Sequence, residues 1–312
     1  MANHAQWRGI CSGLITSALV MWMPAGLAAP KLIWLMRDLP PLTVRDGAQK
    51  GQGIIDRLMP ALMAGMPQYE HVILPVNRAR AIRMLEETSL ACDPALVRNP
   101  ARAQSITYSR PVIDLHGNGL TIRRENKKLI EPFVHGDSVD LQAMLKAQTL
   151  KLGVIAKRSY GTWIDTQVSQ GPADQLFIHY GNDPLGSLLH MQDAGRVQAL
   201  LGYWPEIQSK ARQQGLAPES LIFYRIIGAP AYQPIHIGCS NTPEGREVIR
   251  RVNAILASRE YQALNTSKGT WLEFGQVDDV QTSSPPQPRG SDKKHAKKTP
   301  SSGETARGLT RS

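Results

Sequence analysis

The chain has 312 residues, with 36 Lys and Arg against 26 Asp and Glu, a formal charge of +10; 42% of its residues are hydrophobic and 20% are charged. Such a length buries a real core in one large or two medium domains. The composition excludes a collagen, a coiled coil and a wholly disordered chain, a single near-span apolar stretch excludes a multi-span transporter, and three cysteines exclude a disulfide-dense scaffold.

The N-terminus reads as a separate unit. Arg8 supplies a positive n-region, the apolar run 10–23 is closed by Pro24, and Gly26 and Ala28 suit the −3 and −1 positions of a signal peptidase site. This is the pattern of a cleaved export signal over residues 1–28, which implies a periplasmic mature protein. The alternative, an uncleaved anchor, meets a run shorter than the ~20 residues of a span.

The body then alternates strands and helices. Residues 31–36 (KLIWLM) predict a strand, stopped by the Asp38–Pro41 cluster. Ile54, Ile55, Leu58, Met59, Leu62 and Met63 recur at helical spacing up to Gly65, with Pro60 expected to bend or shorten that helix. A strand at 71–76, a helix at 78–87 and a strand near 91–96 follow. Asp137 or Ser138 is expected to cap a helix reaching about Gln148. Residues 152–156 predict a buried strand, then a Lys157-Arg158-Ser159-Tyr160-Gly161 loop and a helix through Trp163, Ile164 and Val168. Further along come a strand at 177–180, a helix opened by Asn182-Asp183-Pro184, an apolar run at 199–203 and a short helix at 205–214 closed by Gly215. A strand at 235–239 and a helix opened by Thr242-Pro243-Glu244 complete the body. Such alternation predicts α/β layers with largely parallel sheets.

From Ser283 onward Pro, Ser, Gly and Lys dominate and no aromatic residue occurs, a composition that predicts a disordered tail over 283–312. Seven basic and two acidic residues give this tail +5 of the total charge; Arg8 adds +1 in the signal, leaving 29–282 at +4. The charge is therefore no argument for nucleic acid. The run 293–298 reads either as a polybasic arm for anionic polymer or lipid or as a solvated tail without a partner. The mature chain keeps Cys92 and Cys239, an even count that suits one disulfide or two buried thiols.

No G-x-S-x-G, H-E-x-x-H, Walker-type or C-x-x-C motif occurs, and the histidines show no metal-ligand spacing. Nothing in the residues demands catalysis, a metal or a cofactor.

One ordered set of short segments is more specific. Arg98-Asn99-Pro100-Ala101-Arg102 followed by Tyr108-Ser109-Arg110-Pro111 resembles the T-x-x-R…(Y/F)-S-x-P segment of family 3 extracellular solute-binding proteins, the polar amino acid ABC type. Gly53-Ile54-Ile55-Asp56, Leu152-Gly153-Val154 leading into Ser159-Tyr160-Gly161, Ala194-Gly195-Arg196-Val197 and Cys239-Ser240-Asn241-Thr242-Pro243-Glu244-Gly245 fall in the matching order over roughly 31–275. The resemblance implies a two-lobed periplasmic-binding-protein type II fold with two hinge crossings: residues 29–115 plus 233–282 in one lobe, 116–232 in the other. It places Cys92 at the end of a first-lobe strand and Cys239 on the strand returning to that lobe, which pairs them. It makes Arg102 the fork for a ligand carboxylate and Ser159 with neighbouring amides, including that of Tyr160, a second cradle for it. Tyr203 stands where amino acid binders carry an acid for the ligand ammonium, and Gln198 follows Arg196-Val197 where that family has Asp. A carboxylate-bearing solute without a free amine fits these departures. Asp38 is a further ligand-contact candidate.

The expectation is a non-catalytic, monomeric, exported protein that captures a small solute for an ABC permease or a membrane sensor. Two other readings stay open: a dehydratase-like enzyme on the same fold, with Asp38 or Asp114 as base, and an envelope interaction protein that uses its basic tail.

Overall fold

The structure is a computed structural model and describes residues 29–47, 49–87, 89–259 and 261. The expected export signal and basic tail lie outside the described residues. In chain order the elements are β1 (Lys31–Met36), α1 (Ile54–Ala64), β2 (Glu70–Pro75), α2 (Arg78–Glu86), β3 (Ala91–Val97), β4 (Ile106–His116) and β5 (Gly119–Arg123). Next come α3 (Lys127–Ile130), β6 (Val134–His135), β7 (Ser138–Val139), α4 (Leu141–Ala147), β8 (Leu152–Ile155), α5 (Thr162–Gln170) and β9 (Leu176–His179). The chain ends its described part with α6 (Pro184–Asp193), β10 (Ala199–Gly202), α7 (Trp204–Gln213), β11 (Leu221–Ile226), β12 (Tyr232–Ser240) and α8 (Pro243–Leu256).

Two sheets organise these elements. The first has the order β2-β1-β3-β12-β4, the second β6-β7-β11-β5-β10-β8-β9. Within the first, β2, β1 and β3 run parallel, while β12 is antiparallel to both β3 and β4. The chain crosses between sheets twice, from β4 to β5 and from β11 back to β12. Each sheet buries both faces. On the first, α1 and α8 cover a core with Trp34, Met59 and Val248, and α2 covers the other face through Ile82 and Leu85. On the second, α4 and α5 pack with Leu120 and Leu152, and α6 and α7 pack with Leu200 and Ile207 on the opposite side. Helices on both faces of mostly parallel strands are the arrangement that near-continuous apolar strands require.

Cys92 and Cys239 face each other in the β3–β12 register and are joined in a disulfide that closes a loop spanning the whole second sheet, 147 residues in sequence separation.

Three sequence expectations change. Helix α1 runs uninterrupted through Pro60, which points to solvent while Ile55, Leu58, Met59 and Leu62 hold the other face in the core. Ser138 belongs to β7, paired with Arg225; Asp140 is the residue that caps α4, accepting the Ala143 amide at 2.9 Å. Strands β4, β5 and β11 were not anticipated from the pattern. Strand β4 carries Pro111 at a point where its register with β12 shifts, which a period-two reading does not recognise.

Candidate functional site

The two sheets face each other across a cleft. Its cavity lies beyond the carboxyl ends of β1 and β2 on one side and of β8 and β9 on the other, the position where open α/β sheets bind ligands. Three contacts bridge it: Lys210 Nζ to Asp38 Oδ2 at 2.6 Å, the Asn77 amide group donating to Asn182 Oδ1 at 3.1 Å, and Arg102 Nη2 donating to the Lys157 carbonyl at 3.0 Å. The cavity is polar and encloses about 40 Å³. That exceeds the roughly 10–15 Å³ that a cavity needs to hold one water, so a small polar group can enter it.

The site residues expected from the sequence divide into two groups. Tyr160 and Tyr203 come together around a residue that was not singled out, Arg158, whose guanidinium lies 5.3 Å from each ring centroid. Burial pushes both phenols up to about 12. Arg158 also forks onto Glu206, with Nη1–Oε1 at 2.9 Å and Nη2–Oε2 at 2.5 Å; the two side chains are only 3% and 5% exposed. Burial works against the Arg158 charge, but Glu206 outweighs it and raises its pKa.

Ser159 and the Tyr160 amide form a carboxylate cradle, and the chain itself fills it. The Ser159 hydroxyl donates to Asp165 Oδ2 and the Tyr160 N–H to Asp165 Oδ1 at 2.8 Å. Burial raises the Asp165 pKa, partly opposed by these two hydrogen bonds. The turn into α5 depends on Gly161 at φ +99°, where a Cβ would also meet Gln233 Oε1 at 2.4 Å. Arg102, on the 3₁₀ turn Pro100–Arg102, reaches the carbonyl of Lys157, itself turned by a left-handed φ of +58°. Asp38 accepts the Arg45 amide at 3.1 Å besides pairing with Lys210.

Sequence reasoning missed four cations of the cleft. Arg37 forks onto Asp93, with Nε–Oδ2 at 2.8 Å and Nη2–Oδ1 at 2.9 Å, and also reaches the Ala95 carbonyl. The signal was present: an Asp inside the apolar run of β3 needs a buried partner. Lys210 pairs with Asp38 and with Asp183 at 3.4 Å; burial opposes its charge and the two carboxylates outweigh that, raising its pKa. Arg158 lay in the marked 157–161 loop, with its partner 48 residues further on. Arg78 opens α2 and lines the same cavity.

No protein-family model matches the sequence, and no curated protein sequence does. Solved structures do match in three dimensions. One is a histidine kinase sensor domain with similarity to periplasmic binding proteins, 14% identical over 79% of this chain and 94% of that one, at TM-score 0.57. A second is an ancestral arginine-binding protein bound to arginine, 14% identical over 79% of this chain and 96% of that one, at TM-score 0.55. A third is the amino acid ABC transporter substrate-binding protein AbpA from Streptococcus pneumoniae bound to L-arginine, 14% identical over 82% of this chain and 96% of that one, at TM-score 0.55. The fold is the two-lobed periplasmic-binding-protein fold. Identities at this level carry the architecture, and the chemistry of the cleft has to be argued from its own residues.

Proposed function

We propose that this chain is an exported, non-catalytic solute-binding protein, monomeric and periplasmic, that captures a small carboxylate-bearing solute between its lobes for an ABC-type importer or a membrane sensor. We assign residues 29–115 with 233–282 to one lobe, of which 262–282 lie outside the described residues, and 116–232 to the other. The reading is carried by the cradle of Ser159 and the Tyr160 amide, which already holds a carboxylate, that of Asp165. On lobe opening, a solute carboxylate exchanges with Asp165 there and takes the Arg102 fork from the Lys157 carbonyl. Hinge closure of the lobes then buries the solute and excludes water. Tyr203, beside Arg158, and Asp38, through its pair with Lys210, are the further contacts of this reading.

Matched structures hold arginine, but a cationic amino acid fits poorly here. The space between Tyr160 and Tyr203 is taken by the guanidinium of Arg158, and its carboxylate partner Glu206 is already used. Thermal-shift screening of the mature protein against carboxylates, amino acids and oligopeptides tests the proposal. A rise of several degrees with carboxylates and no turnover is the expected result. Turnover overturns the non-catalytic reading, and no response to any solute overturns the binding reading.

A further inference from the structure

Among the described cations that line the cavity, Arg37, Arg78, Arg158 and Lys210, charge pairing is complete except at one residue. Arg37 has Asp93, Arg158 has Glu206, and Lys210 has Asp38 and Asp183. Arg78 lines the same cavity, partly buried, with no side-chain hydrogen bond or ion pair to any described residue. Its surroundings make this isolation costly in three ways. It is the first residue of α2, a nine-residue helix with no acidic residue in its first turn, so a cation sits at the positive end of the helix dipole. Arg37 and Arg158 stand close enough to repel it. Burial strips part of its hydration, and these effects together hold its pKa well below the ordinary arginine value despite Asp93 and Glu206 nearby.

An anion at this point relieves all three costs at once. The cavity admits a small polar group, and Asn77 and Asn182 among its lining offer carboxamide donors. We infer that Arg78 is the anchor for a second oxyanion of the bound solute, so that the cleft selects a dianion, a dicarboxylate or a phosphorylated carboxylate, over a simple amino acid. The inference rests on the reading of the cleft as a solute site. The first carboxylate takes the Ser159–Tyr160 cradle, which follows directly on the cavity-lining Arg158 in the chain, and the second group forks onto Arg78 from the cavity side. Arginine suits this because its planar fork matches either a carboxylate or a phosphate in two parallel hydrogen bonds.

The test is calorimetry and thermal shift on the mature protein at fixed ionic strength. The probes are acetate, a dicarboxylate series from malonate to adipate, and phosphoglycolate, each against wild type, Arg78→Gln and Arg78→Lys. Expected for wild type is binding of a dicarboxylate or of phosphoglycolate, and the preferred arm identifies the second headgroup. Arg78→Gln should lose about ten- to a hundredfold in affinity for that probe, the range of a charge-assisted hydrogen-bonded contact. Its unliganded melting temperature should stay level or rise, because a repelled cation is gone. Arg78→Lys should fall between the two, and it carries the test by itself if Arg78→Gln fails to fold. Equal binding of the dianion by wild type and the variants overturns the inference and leaves the cleft reading standing. So does binding of acetate as tight as any dianion. Absence of any binding by wild type overturns the cleft reading and the inference with it.

Discussion

The two lobes meet the same packing demand with different chain layouts. Each sheet is covered on both faces by helices, yet the first is assembled from chain segments on either side of the second, while β5 through β11 are one continuous stretch. Only the first carries a covalent tie, Cys92–Cys239, between the strands where outgoing and returning chain meet. The difference shows where closure entropy falls. The continuous lobe closes short connections, whereas β12 has to find β3 and β4 across the whole inserted lobe. The buried ion pairs follow the same division. Arg37–Asp93 ties β1 to β3 inside the first sheet, and Arg158–Glu206 ties the β8–α5 loop to α7 in the second.

The comparison breaks most visibly at the disulfide. A Cys92→Ala/Cys239→Ala double variant should lose about 5 kcal/mol of unfolding free energy, the loop-closure value for a loop of that length. Urea denaturation measures it, and hydrogen exchange locates it: amides of β3, β4 and β12 should lose protection before those of β8 and β10. Equal loss in both sheets would show that the lobes unfold as one unit.

Removing one partner of each buried pair is the next largest change. Asp93→Asn and Glu206→Gln each leave a buried guanidinium without its carboxylate, at about 3 kcal/mol apiece. Asp93→Asn should loosen the first lobe and Glu206→Gln the second, with the double variant close to additive in chemical denaturation. A strong interaction between the two substitutions would mean that the cleft cations form one network.

The smallest effect separates the lobes by pH. His236, on β12, donates from Nδ1 to the Ser109 carbonyl at 2.8 Å, and burial lowers its pKa below 6.5. The stability tied to its neutral form is present above pH 6.5 and is lost as pH falls through the lowered folded value. Asp165 in the second lobe is raised, so its contribution is present below 3.8 and is lost as pH rises through the folded value. Melting temperatures between pH 4 and 8 should therefore lose their acid-side decline in His236→Gln and gain stability on the alkaline side of the Asp165 transition in Asp165→Asn. Identical profiles for both variants and wild type would contradict these assignments.

How much of this was legible depended on sequence range. Helices α2, α6 and α8 were readable because a cap and an apolar face lie within a few residues: Asn77, Asp183 and Thr242 each accept an amide of the first turn. Strands β4, β5 and β11 were not, because their partners are distant and one contains a proline at a register shift. In the cleft, Ser159, Tyr160 and Tyr203 were singled out through the family resemblance, but their present partners were not legible. Asp165 resembles an ordinary first-turn acid, and Glu206 an ordinary helix surface residue, until the fold turns one into the cradle and buries the other.

The sequence by itself determined the alternating α/β plan, the ordered segments that resemble a two-lobed binding protein, and the concentration of basic charge at the ends. Those features are local in the chain, set by periodicity, caps and composition. Only the tertiary structure decided which cations are neutralised and which is not, because ion pairing depends on side chains brought together from β1, β3, the β8–α5 loop and α7. Arg78 is one of many arginines in the sequence; in the folded cleft it is the cation whose neighbours have already spent their carboxylates on others.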